Sequence, residues 1–238
     1  MTQFLVCRDA DRLALAAADL FAKLARDAIA QRQRFAVALA GGSTPRPAYG
    51  LLAEEPLSGR IDWPRVEVFW GDERCVPPSH PDSNYRMTRR ALLDRVPIPG
   101  GNVHRVRGEL PPEEAAAHYR LELQMVMGGG GRFDLILLGM GTDGHTASLF
   151  PETAVLNDEE CSFVAVYVER MGSWRLTLTL PTINAARHVV FLVSGESKAE
   201  ALARVWSGER LPAALVQPAE GELMWLVDRD AAAGLVPG

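Results

Sequence analysis

Cysteine is scarce: the 238-residue chain has three, Cys7, Cys75 and Cys161. Their number is odd and their spacing wide. No CxxC and no Cys/His pair at zinc spacing occurs, so neither a disulfide framework nor a structural metal is expected. Lysine is scarcer still, with Lys23 and Lys198 against a long list of arginines. There is no basic excess either. The net charge of −5 argues against a nucleic-acid partner, which demands a basic surface. It leaves room for a local basic pocket that takes a small phosphorylated ligand. No apolar run approaches the ~18–20 residues that span a bilayer. The opening MTQFLVCRDADR has no apolar signal-peptide core. These absences together describe a cytoplasmic protein with reduced thiols, no cofactor, and no membrane or nucleic-acid partner.

What is present is an ordinary soluble composition, 47% apolar and 23% charged, enough for one sizeable core. Leu13, Ala17, Leu20, Leu24 and Ala28 recur at helical spacing and predict a helix from Asp9 to about Gln33. FAVALA, VEVFW, FDLILLGM, HVVFLVSG and ELMWLVD are short apolar runs of the kind buried on both faces of a parallel sheet. SFVAVYV and RLTLTL read as further strands. Helices are expected after Thr44, with Pro45 in their first position, over 80–96 with Asp82 or Ser83 at the cap, over 111–127, and over 196–208. The Gly128–Gly131 run precedes a strand rather than following one, so it reads as a flexible loop and not a phosphate loop. Alternating strands and helices imply one α/β domain: an open, mostly parallel sheet with helices on both faces.

In such a sheet the loops after the strands gather at one edge. Four of them carry unusual residues. Gly41-Gly42-Ser43-Thr44-Pro45 offers turn amides and two hydroxyls, which suit an oxyanion or simply a capped turn. It is neither a Walker loop nor GxGxxG. Asp72-Glu73-Arg74 either pair among themselves or face a ligand. Lys198, in SGESKAEAL, sits where a helix dipole disfavours a cation, which suggests a role toward an anion. Arg175 begins a strand and presents the planar fork that grips phosphate or carboxylate. His145 lies in the glycine-rich loop after the most apolar strand, with Asp143 two residues before it. A neutral imidazole there is suited to take a proton from water, and Asp143 either orients it or sets the turn. Cys75 beside Arg74 is a weaker candidate for an activated thiolate. Asn84 and Arg86 either reach the pocket or cap their helix.

Read together, LAGGSTPRPAYGLL, VFWGDERCVPPSHPDSNYRM, FDLILLGMGTDGHTASLFP and RLTLTLPTINAARHVVFLVSGESKAEAL resemble the 6-phosphogluconolactonase family, which is grouped with the glucosamine-6-phosphate deaminases. The resemblance implies a Rossmann-like fold and hydrolysis of 6-phospho-D-glucono-1,5-lactone in the oxidative pentose phosphate pathway. It implies catalytic roles for His145, Asp143 and Arg74. It places Gly42, Ser43, Thr44, Arg175 and Lys198 on the substrate, mainly at its phosphate, and Asp72 with Arg74 near the sugar ring. It implies a phosphorylated sugar lactone as the only partner, with the chain a monomer or weak homodimer. Two alternatives remain at this point: a deaminase, or a non-catalytic sugar-phosphate sensor. The deaminase loop resembles DGHIAFNEP, with a glutamate before the proline, where this chain has Phe150. It also has a tyrosine after DE, where this chain has Arg74. Both departures favour the lactonase.

Overall fold

The computed structural model describes residues 2–128, 131–160 and 162–235. Two sheets organise it. The larger contains β1 (Thr2–Cys7), β2 (Phe35–Leu39), β3 (Val66–Trp70), β5 (Leu135–Leu138), β8 (His188–Val193) and β9 (Glu222–Asp228) in the spatial order β1-β9-β8-β5-β2-β3. Every neighbouring pair is parallel. The smaller is antiparallel, ordered β4 (Asp72–Arg74), β7 (Ser173–Leu178), β6 (Phe163–Val168). One continuous hydrophobic cluster runs from Cys7 of β1 to Ala231.

The mostly parallel α/β expectation holds, with two corrections. First, β6 and β7 do not join the parallel sheet. Only Glu169–Gly172 separates them, and so short a connection permits antiparallel pairing alone. GDER supplies their third strand, with Arg74 opposite Arg175. Second, the opening residues form edge strand β1, paired on one side with β9. It carries the apolar run Phe4–Cys7, but Leu5 and Val6 are exposed, as a strand paired on one side only allows.

Helix α1 (Ala10–Arg32) starts where expected, the Asp9 carboxylate accepting from the Arg12 amide at 2.9 Å. Helix α2 (Arg46–Leu52) does not: Pro45 takes the cap position, and Thr44 makes no capping bond. Ser83, not Asp82, caps α3 (Asn84–Ala91), which stops short of residue 96. Helix α4 (Pro112–Met127) ends at Gly128; the centre of the glycine run lies outside the described residues. After a short α5 (Leu180–Asn184), a 3₁₀ turn over Glu196–Lys198 leads into α6 (Ala199–Trp206).

Right-handed crossovers put α1 and α2 on one face of the large sheet, and α4, α6 and the small sheet on the other. The chain adds β3 on one side of β2, then β5, β8 and β9 on the other. The loops after β2 and β5 therefore diverge at a topological switch point, which opens a crevice at the carboxyl ends of the strands. Two buried tyrosines fix where the chain leaves the sheet. The Tyr49 hydroxyl donates to the Ala40 carbonyl at 2.9 Å and accepts from its amide at 3.1 Å. Tyr119 accepts from the amide of Trp70, the last residue of β3, at 2.8 Å.

Candidate active site

The crevice at the switch point holds a cavity of about 230 Å³ lined by the Gly41–Pro45 turn, Asp72, Arg74, Asn84, Gly139–Gly141, His145 and Lys198. A second lobe of about 500 Å³ shares Asp72, Arg74, His145 and Ala147 with it and adds Ser148, Phe150, Arg170, Met171 and Arg175. His145 stands where the lobes meet.

The loop after β5 is tightly folded. The His145 carbonyl accepts from the Gly141 amide at 2.8 Å, and the Thr146 hydroxyl donates to the Gly139 carbonyl at 2.8 Å. Asp143 accepts from the His145 backbone amide at 3.3 Å, and its Oδ1 lies 2.5 Å from His145 Nδ1. A carboxylate can only accept, so Nδ1 carries the proton, and in the neutral imidazole Nε2 is the basic nitrogen. Gly141 makes this possible. A side chain there would place its Cβ 1.9 Å from His145 Nδ1 and 2.5 Å from Asp143 Oδ1. Burial alone would push the Asp143 carboxyl up, but the His145 hydrogen bond and charge outweigh it and hold it below the ordinary range. The imidazole stacks on Phe150 at 4.2 Å with 27° between planes, a contact typically worth ~0.5–1.5 kcal/mol. Asp143 therefore orients the ring as well as shaping the turn.

The wall opposite is built differently. The amides of Gly42, Ser43 and Thr44 have no acceptor among the described residues. Lys198 has no carboxylate within ion-pair distance among them either. Burial pulls the Lys198 amine below the usual lysine range, with the charge of Asp143 opposing. Its loop is anchored by buried Asp228, which accepts from the Ser194 hydroxyl, from the Gly195 amide at 3.1 Å and from the Ala231 amide at 2.8 Å.

Between these walls lies the DER segment. Its acids do not pair with Arg74. Glu73 is buried and gathers the amides of Arg74, Asn84 and Tyr85 at 2.7–2.8 Å, binding the start of α3 to β4. Burial nevertheless pushes its carboxyl up. Asp72 accepts from the Ser148 hydroxyl at 2.8 Å and from Asn84 Nδ2 at 3.1 Å. Asn84 also donates to the Asp72 carbonyl at 2.8 Å, which fixes its amide and turns Oδ1 toward Gly41. A Cβ on Gly41 would lie 1.7 Å from that oxygen. Arg74 Nη1 donates to the Asp82 carbonyl at 2.5 Å.

The structure thus brings Gly42, Ser43, Thr44, Asp72, Arg74, His145 and Lys198 to one cavity, with Asp143 directly behind His145. Arg175 is not beside Ser43 and Lys198. It lines the second lobe, held by the Ser173 hydroxyl at 2.9 Å and the Trp174 carbonyl at 3.2 Å. Burial and the neighbouring Arg74 charge lower its guanidinium. Asn84 lines the site; Arg86 opens onto a separate groove with Arg89, Arg90 and Arg105. Cys75 is no thiolate, because burial pushes its thiol up to about 11. Ser148, Asp228 and Arg170 are site residues that sequence reasoning missed. Ser148 alone had a signal, since it lies inside the GHTASLFP stretch.

The model for glucosamine-6-phosphate isomerases/6-phosphogluconolactonase matches residues 8–225. A 6-phosphogluconolactonase of Synechocystis is 46% identical over 219 residues, 88% of each chain. The crystal structure of 6-phosphogluconolactonase from Thermotoga maritima superposes with a TM-score of 0.85 at 32% identity, covering 96% of this chain and all of that one. A monomeric glucosamine-6-phosphate deaminase shares the fold, with a TM-score of 0.81 at 22% identity. The site at the switch point and these likenesses agree: the chain belongs to the glucosamine-6-phosphate isomerase/6-phosphogluconolactonase family.

Proposed function

We propose that the chain hydrolyses 6-phospho-D-glucono-1,5-lactone to 6-phospho-D-gluconate, with His145 as the base that activates water. The observation that carries the mechanism is the Asp143–His145 pair at 2.5 Å, which in the neutral imidazole makes Nε2 the acceptor nitrogen at the junction of the two lobes. The lactone is an activated ester, so a positioned base and charge stabilisation suffice for its hydrolysis.

The phosphate docks against the open amides and hydroxyls of Ser43 and Thr44 and against Lys198, which has no ion-pair partner among the described residues. Arg175 approaches from the second lobe. C1 of the lactone then faces His145. Nε2 takes a proton from water as the oxygen attacks C1, and Arg74 stabilises the tetrahedral oxyanion. The C1–ring-oxygen bond breaks, and His145 returns the proton to the departing ring oxygen. Asp72, clamped by Ser148 and Asn84, lies within reach of the sugar hydroxyls.

No observation favours the deaminase reading. Phe150 is buried against His145, where a deaminase would need an acid for its proton relay. The sensor reading would leave His145 without a use. The test is a lactonase assay on freshly made substrate, with glucosamine 6-phosphate and ammonia detection in parallel. Lactone turnover without ammonia release is expected; ammonia release, or binding without turnover, would overturn the proposal.

A further inference from the structure

Arg170 sits in the connection between β6 and β7, in the 3₁₀ turn Glu169–Met171 that closes at Gly172. The hairpin folds this turn over the active site. There Nη2 of the guanidinium forms an ion pair with Asp143 Oδ2, the oxygen that His145 does not use and that accepts no hydrogen bond among the described residues. The guanidinium carbon also lies 4.9 Å from the Phe150 ring centroid, the ring on which His145 stacks. Asp143 is thus held from two elements that are far apart in sequence, one oxygen on each.

A carboxylate two residues before a histidine, on a glycine-rich loop, has two free side-chain torsions. Both bonds from His145, from its backbone amide and from Nδ1, fall on Oδ1 and leave Oδ2 unfixed. A cation beside the second oxygen restricts that freedom through charge, drawing Oδ2 toward the hairpin. Loss of so little geometry at a general base is costly in turnover.

We propose that Arg170 is a positioning residue of the lactonase site: it holds the far oxygen of Asp143 so that the near oxygen is presented squarely to His145 Nδ1. The inference rests on His145 being the base. The competing role is substrate binding, because Arg170 lines the same lobe as Arg74 and Arg175. The side chain is about half exposed, so its replacement leaves the core untouched.

The experiment is a double-mutant cycle in the full chain, with kcat and KM measured for Arg170→Ala, Asp143→Asn and the pair. A positioning role predicts that Arg170→Ala lowers kcat about tenfold with KM within about twofold, and that it has almost no further effect once Asp143 is Asn, because residues acting as a unit are not additive. Arg170→Met keeps cover on Phe150 without the charge and should lose as much kcat as Arg170→Ala. Effects that multiply in the double variant, a change confined to KM, or recovery by methionine would each overturn the proposal. His145→Ala is the separate control. If it stays active, the base assignment has failed; if it is dead while the other two effects multiply, only the role of Arg170 has failed.

Discussion

The two walls of the crevice treat their polar groups in opposite ways. On the His145 wall most groups are engaged within the protein: one oxygen of Asp143 bonds the imidazole and the other faces the Arg170 charge, and the Thr146 hydroxyl and loop amides bond the loop carbonyls. On the Ser43–Lys198 wall the turn amides are open and the cation is half-buried without a carboxylate partner. A group already satisfied is oriented but has little left to offer a ligand. A group left open in a crevice is destabilising until something fills it. The first wall is arranged for chemistry, the second for recognition.

Breaking the chemical wall should have the largest effect. His145→Ala is expected to lower kcat by about 10²–10⁴ with an unchanged circular-dichroism melt, and near-parent turnover would remove it from the mechanism. Breaking the recognition wall should act on KM instead. Lys198→Ala is expected to raise KM for the phosphorylated lactone by roughly tenfold, on the order of one charge-assisted hydrogen bond, and to leave a phosphate-free lactone unaffected. Equal effects on both substrates would detach Lys198 from the phosphate.

Arg175→Ala sharpens the same comparison. If the phosphate lies against Ser43 and Lys198, its KM effect is smaller than that of Lys198→Ala. The reverse order would move the phosphate into the arginine lobe. A pH series tests the recognition wall without mutation. Lys198 binds as the cation, and burial lowers the pH at which it loses its proton. KM should therefore begin to rise on the alkaline side before an ordinary lysine would titrate, while Asp143, held below the usual carboxylate range, stays ionised through the neutral region. A KM flat to the end of the lysine range would contradict this. The smallest effect is expected at Cys75: with its thiol pushed up to about 11, Cys75→Ser should leave kcat within about twofold, and alkylation near pH 7 should be slow because the thiolate is the reactive form.

The difference between the walls also explains what sequence could reveal. The central strands were visible because burial on both faces demands continuous apolar runs such as Leu135–Leu138. β1 was not: its run Phe4–Cys7 passes almost directly into the charged start of α1, and most of its side chains face solvent on an edge. That β6 and β7 leave the main sheet is a matter of pairing partner, which residue composition does not encode. His145, Ser43 and Lys198 stood out because they follow strands in glycine-bearing loops. Arg170 did not: an arginine in a hairpin connection looks like any solvated charge, and only the folding of that hairpin back over Asp143 gives it a neighbour. Thr44 misled in another way. Its type suited a cap, but the turn closes on Pro45 and leaves the hydroxyl to the crevice.

The hydroxyls of Tyr49 and Tyr119 bear on how such a site can change. Each meets the backbone of the first residue past a strand, or of its last, with the bonds another strand would otherwise supply. The sheet therefore ends at a fixed residue whatever follows it. Loops beyond that point can gain, lose or exchange residues without a slip in strand register reaching the core. The scaffold is in this sense indifferent to its cargo, and exchanging the Gly41–Pro45 turn for one of another length should alter which substrate is held while the melting temperature stays nearly where it was.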